Sequence, residues 1–196
     1  MKRTTLAVGG LFVATLLTLG LATAPAVGDD DRNERAQGGR WNNLLVVPGL
    51  DVAPVDNPMY EAECGACHFV YQPGLLPARS WERVMEGLDA HFGENAELDA
   101  EVRRLITVYL RDNAADRSEY RRSVGITGSL RGGESPLRIS ETPYFQRKHH
   151  EVPARLVSGN EKVGSWSHCD RCHTEAATGS YNEHQVRIPG AGRWDD

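Results

Sequence analysis

The sequence predicts a mainly α protein with extensive loops, built as two modules behind a cleavable leader. Three observations carry this. Apolar side chains recur at helical spacing in two central segments, around residues 80–92 and 99–109. No apolar–polar alternation of the strand kind persists for more than a few residues. Asn57-Pro58 and Thr142-Pro143 each read as an N-cap followed by proline at the first helical position.

Lys2 and Arg3 precede an uncharged stretch from Thr4 to Gly28, whose Leu6–Leu21 part is rich in Leu, Val, Ala and Gly. Small residues follow at Ala22, Ala24, Ala26 and Gly28, the layout of a secretory signal peptide over residues 1–28. An uncleaved anchor is the other reading, since about 20 apolar residues can span a bilayer. The n-region has no Arg-Arg pair, which favours export of an unfolded chain over twin-arginine export.

Residues 29–56 begin acidic and are broken by Pro48 and Pro54, an extended lead-in partly wrapped on the body. The first module, 57–122, opens with a helix running from Asn57-Pro58 through Cys64 to His68. Pro73-Gly74 and Pro77 force an irregular loop. Ser80 is positioned to cap a second helix, with Trp81, Val84, Met85, Leu88 and Phe92 on its apolar face and Gly93 as its stop. Asp99 is positioned to cap a third, with Val102, Leu105, Ile106 and Tyr109 facing inward and Arg104 and Arg111 on the solvated side. The segment SVGITGSLRGGESPLRIS (123–140), with its four Gly, reads as a loop and module boundary, so that 123–141 links into the second module, 123–196. There a helix from Pro143 runs toward Pro153, and a last helix spans Ser165–Ala177 with Gly179 as its end signal. The modules share an order of loop, helix and cysteine motif without an evident sequence repeat.

Composition excludes several classes. With 40% hydrophobic and 25% charged residues in 196, the chain is ordinary globular material. A formal charge of −5 argues against a basic nucleic-acid binder. Losing residues 1–28 leaves 20 basic against 27 acidic side chains, a net −7, and no span to hold the chain in a membrane. Four cysteines are too few for a disulfide scaffold.

Those cysteines fall in two motifs, Cys64-Gly65-Ala66-Cys67-His68 and Cys169-Asp170-Arg171-Cys172-His173. With 7 His in the chain, finding His after both pairs by chance has a probability of about 0.001. C-x-x-C-H is the attachment signature of c-type haem. The two thiols add to the vinyl groups on one porphyrin edge, and the adjacent imidazole ligates the iron. The motifs thus point to two covalently bound haem c groups on Cys64, Cys67, Cys169 and Cys172, with His68 and His173 as proximal ligands. A four-thiolate zinc site would leave both trailing His residues unexplained. A thioredoxin-like pair expects a preceding strand, and plain disulfides give no reason for the His.

The sixth ligand decides what such haems do: an open site binds small ligands, a filled one carries electrons. His91 lies three residues after Leu88 and seven after Val84, on the apolar face of the second helix, where a bare imidazole needs a partner such as iron. A core His bonded to a carbonyl is the plainer explanation. His149 falls on the apolar face of its short helix, four after Phe145, whereas His150 is turned toward Gln146 and solvent. His168 is too close to Cys169 to cross its own haem, and His184 sits in a polar segment. Met85 competes with His91, its ordinary role being core filler, and Met59 is too near its own motif.

The chain from about Val55 onward resembles the exported dihaem cytochrome c family. The resemblance rests on Gly74-Leu75-Leu76-Pro77-Ala78-Arg79-Ser80-Trp81, Gly87-Leu88-Asp89-Ala90-His91-Phe92-Gly93, Ile139-Ser140-Glu141-Thr142-Pro143-Tyr144-Phe145, Lys148-His149 and Val186-Arg187-Ile188-Pro189, with both C-x-x-C-H motifs. It implies a small helical c-type cytochrome with bis-His haems, an electron carrier and not an enzyme. The partners it implies are a monohaem oxygen-binding cytochrome c and a membrane cytochrome b. Its pattern falls on His91 and on His149 rather than His150, as distal ligands, and leaves His168 and His184 free. Arg79 and Arg187 also fall on its positions; bidentate pairing with haem propionates suits them, a solvated surface being the plainer role. The lead-in before residue 55 lies outside the resemblance. The expectation is a periplasmic electron carrier, with His91 opposite His68 and His149 opposite His173, the crossed pairing remaining open. The rival is a haem enzyme or small-ligand sensor with one open iron.

Overall fold

The computed structural model describes residues 49–194. The signal peptide and most of the lead-in fall on residues 1–48, outside the described residues. Among the described residues no helix is long and apolar enough to cross a membrane. Among the described residues, five α-helices, a series of one-turn 3-10 helices and one two-stranded hairpin make up a mainly α fold, as the sequence predicts.

Helix α1 (Pro58–Gly65) starts as its residues dictate. Asn57 Oδ1 accepts from Tyr60 N at 2.9 Å and Pro58 occupies the first turn. It ends at Gly65, so Cys64 is helical while Cys67 and His68 follow in a turn. Helix α2 (Ala78–Glu86) is not capped by Ser80. Pro77 holds the extended N-cap conformation, and Asp116, 38 residues on, accepts from Ala78 N at 2.8 Å. A carboxylate from a distant segment replaces the local hydroxyl, and it also suits the positive end of the helix. The helix stops at Gly87, six residues short of Gly93. A 3-10 turn (Leu88–Ala90) then leads into His91, Phe92 at φ 53° and Gly93 at φ 106°. Phe92, expected in the core, is 46% exposed.

Helix α3 (Ala100–Asp112) is capped by Asp99, as predicted. Ile106 and Leu110 form its buried stripe, and Leu105, expected inside, is turned outward. Helix α4 (Arg121–Ser129) occupies the first part of the segment read as a linker. Its glycines suggested a loop, but a Cβ at Gly125 would lie 2.6 Å from Tyr144 Cε2. The glycine serves close helix packing against α5 (Pro143–His149), not a turn. Helix α5 opens on the Thr142 cap and ends at His149, before reaching Pro153.

The helix expected over Ser165–Ala177 is absent; 3-10 turns stand at Cys169–Arg171 and Ala176–Thr178. Backbone groups there pair elsewhere: Cys172 O accepts from Arg187 N at 2.9 Å, at the start of the hairpin β1 (Arg187–Ile188) and β2 (Gly192–Arg193).

Two apolar clusters form the core. Tyr60, Leu76, Trp81, Met85, Ile106 and Leu110 belong to the first; Val52, Leu75, Ile126, Tyr144, Ala176 and Tyr181 belong to the second. The two halves of the chain interlock. Gln72, in the first half, donates to Ala176 O and accepts from Tyr181 Oη, both at 2.6 Å. Tyr71 Oη donates to Ser167 O at 2.6 Å, 96 residues away. The end of the lead-in is part of the core: Asp51 and Val52 are buried, and Gly179 O accepts from both of their backbone N–H groups.

Ile106 is fully buried where α3 packs on α2. Ile106→Ala should lower the unfolding free energy by about 2–4 kcal/mol, read by denaturant titration of the haem-loaded protein. A loss under about 0.5 kcal/mol, the range of a surface substitution, would contradict this packing.

Candidate functional site

Each C-x-x-C-H histidine meets a second histidine from a different element. His68 and His91 face each other with ring centres 6.2 Å apart and ring planes 22° apart. His173 and His149 stand 6.0 Å apart at 75°. Two imidazoles sharing one metal ion would have centres roughly 6 Å apart, given a metal–nitrogen bond of about 2 Å on each side. Both pairs have that separation.

The helix break at Gly87 makes the first pair. His91 is not on the face of α2 but on the loop after it, carried back over the end of the first motif. The rings of His91 and Phe92 pack at 4.7 Å, and the Arg138 guanidinium covers the outer side of Phe92, 4.0 Å from its centroid. His68 Nδ1 lies 2.7 Å from Phe69 O, which makes Nδ1 the protonated nitrogen and leaves Nε2 as a ligating atom. Burial, then the neighbouring His68 and Arg138, lower the pKa of His91. Burial pushes the Cys64 thiol up to about 11.

The second pair lies in a cavity of about 710 Å³, within the range of cofactor pockets. His149 sits at the last position of α5, its Nδ1 2.9 Å from Phe145 O and its ring stacked on Phe145 at 3.9 Å. Trp166 meets both rings edge-on. Burial first, then the charges around it, push His173 down to about 3, so this imidazole is neutral and able to ligate. Cys169 is pushed up to about 12, chiefly by burial. His173 Nδ1 is buried without a hydrogen-bond partner in the chain. Such an atom calls for a further group beside it. Two thiols, two imidazoles and an apolar wall of Ile126, Phe145, Trp166 and Ile188 fit a porphyrin carrying iron.

The remaining candidates sort accordingly. His150 is exposed, its Nδ1 2.8 Å from Arg147 O. His168 is tied to Val163 O, and His184 is exposed at the cavity rim. Met85 is core filler, buried in the first cluster. Arg79 Nε donates to Glu134 O; Arg187 is exposed, its Nη1 on Val186 O at 3.3 Å. Neither lines the second cavity. Arg122 does, and nothing in the sequence singled it out, because its partners are Asp51, Tyr144 and Tyr181, all distant in the chain. Among the described residues, no three His, Cys, Asp or Glu side chains converge as a metal-binding group, so the four cysteines do not form a zinc cluster.

The profile of the dihaem cytochrome c family matches residues 60–181. The chain belongs to the dihaem cytochrome c family. Two covalently attached c-type haems are accordingly its cofactors. A diheme cytochrome type c from Shewanella baltica is 42% identical, with a TM-score of 0.59, over 71% of this chain and 98% of its own. A diheme cytochrome c from Rhodobacter sphaeroides is 45% identical, with a TM-score of 0.59, over 66% of this chain and 100% of its own. No curated protein matches significantly. The match spans both cysteine motifs, His91 and His149 of this dihaem cytochrome, and begins after Asp51.

Burial alone would raise the Asp51 carboxyl, but Arg122, Arg121 and the Tyr181 N–H hold it below its ordinary value of 3.8. A depressed carboxyl stabilises the fold fully above its unfolded pKa, and the gain is lost as pH falls through the folded value. Wild-type protein should therefore lose stability below pH 3.8 in a limb that Asp51→Asn lacks, followed by circular dichroism. Superimposable acid limbs would refute the pairing.

Proposed function

We propose that this dihaem cytochrome carries electrons in the periplasm, each iron being held between two imidazoles. Cys64 and Cys67 bind the first haem, with His68 and His91 as its axial ligands. Cys169 and Cys172 bind the second, with His173 and His149. Each bound haem supplies a one-electron iron couple. The observation that carries this reading is the pairing of each motif histidine with a second histidine at about 6 Å.

The protein's own residues fix the ligands and restrict water. Phe145 O orients His149 through Nδ1, and Phe69 O orients His68, leaving the other ring nitrogens toward their partners. With both axial positions filled, neither iron has a site for substrate, which favours a carrier over an enzyme or sensor. Met85 points into the first core cluster, so Met/His ligation has no support, and the potentials are expected to be low for c-type haem. The leader-like residues 1–28 support export.

The partners are inferred from the family resemblance: a monohaem oxygen-binding cytochrome c and a membrane cytochrome b. Docking between such proteins is small in area and transient. The net −7 of the processed chain suits partners with basic docking patches.

Carbon monoxide added to the dithionite-reduced protein should leave the Soret band unmoved, and His91→Ala should open one CO-binding haem with both haems still covalently attached. His150→Ala should change neither spectrum. A CO shift worth one full haem in the wild type would overturn the carrier reading for that site. Replacing Cys169 and Cys172 together by Ala should leave one haem per chain by pyridine haemochrome assay; two would refute the attachment.

A further inference from the structure

The second cavity has a buried charged wall that the ligation does not require. The Arg122 side chain is 13% exposed, and its Nε lies 3.3 Å from Asp51 Oδ1, a carboxylate 5% exposed. Its Nη2 donates to Tyr181 O at 2.6 Å and its Nη1 to Tyr144 Oη at 3.1 Å. Asp51 also accepts from Tyr181 N at 2.6 Å, a contact spanning 130 residues, and from Arg121 Nη2 at 2.6 Å. Arg122, Tyr144 and Tyr181 all line the cavity, and the Tyr181 ring stands 5.2 Å from His173.

We propose that Asp51, through its pairing with Arg122 at the wall of the second cavity, lowers the reduction potential of the haem held there. The proposal rests on the assignment of that haem to Cys169, Cys172 and His173. Its physics is elementary. Ferric haem carries one more positive charge than ferrous haem, so a nearby cation favours reduction and a nearby anion opposes it. Buried charges act through a lower effective dielectric than surface ones. Of the other charged side chains at the cavity, Arg147, Glu151 and Glu183 are exposed and screened by water and salt, and Lys148 is half-buried. Arg121 reaches toward solvent, at 33% exposure, so Asp51 and Arg122 are the more deeply buried pair. Asp51 precedes the segment matched by the family profile, whereas its partner Arg122 lies within it.

The test is a spectroelectrochemical titration of the haem-loaded protein, resolving the two haems. Waves are assigned from His91→Ala and His149→Ala measured in parallel. Asp51→Asn should raise the second haem's potential, and Arg122→Gln should lower it, each by about threefold in the ferric–ferrous equilibrium, about 30 mV for one electron. The first haem should not move, and Asp51→Glu should keep the wild-type value. Shifts of the same sign in both variants, equal shifts at both haems, or no shift would overturn the proposal. If Asp51→Asn yields no folded protein, the Arg122 pair decides: Arg122→Gln must lower the potential and Arg122→Lys must preserve it. A wrong ligation assignment would show separately, as CO binding by the wild type.

Discussion

Two imidazoles facing each other at about 6 Å is the constraint around which this fold is arranged. The C-x-x-C-H motif supplies one of each pair locally and for little conformational cost. The other must be brought by a separate element, and the chain does so in two ways. In the first site α2 is cut at Gly87 so that a loop can turn back, through two successive positive φ angles at Phe92 and Gly93. A non-glycine residue in that region is disfavoured by about 1–2 kcal/mol and persists where the surroundings enforce it. In the second site α5 ends at His149 itself, and its last turn lays Phe145 flat against that ring.

The chemistry was legible in the sequence because it is local. Cys64 to His68 and Cys169 to His173 announce themselves, and the helical-face argument preferred His149, whose ring faces His173, over the exposed His150. The spacing of His91 from Val84 and Leu88 suggested a continuous helix, whereas it lies beyond a break and faces His68 from a loop. What was not legible depends on distant partners. Asp116 displaces Ser80 as the cap of α2, and the ring of Tyr144 turns Gly125 from a loop signal into a packing requirement. The last motif region closes in 3-10 turns, with Cys172 O engaged by Arg187 N of the closing hairpin instead of by a helical partner. Nothing in the local pattern around Asp51 or Arg122 hints at their meeting across 71 residues.

The two sites are also joined mechanically. Tyr71 packs against His68 and donates to Ser167 O, two residues before Cys169. Gln72, the next residue, bonds to Ala176 O and to Tyr181, beside His173. Residues that immediately follow the first motif thus buttress the second. Such contacts fix the relation between the sites more firmly than a flexible linker between modules would, and transfer between two fixed centres needs little reorganisation.

The sites nonetheless differ in enclosure. His173 lines the second cavity with its Nδ1 buried, while His91 lies on a loop whose Phe92 is 46% exposed. Removing water from around a cationic ferric centre disfavours it, so enclosure by itself favours the ferrous form of the second haem. The carboxylate of Asp51 acts in the opposite sense from within the same wall. Burial, the buried anion and the Arg122 cation beside it therefore act in different senses, and the spacing between the two potentials depends on that balance as well as on the axial ligands. Two haems in one chain can hold their electrons at different levels, because the protein around each sets how much the ferric charge costs.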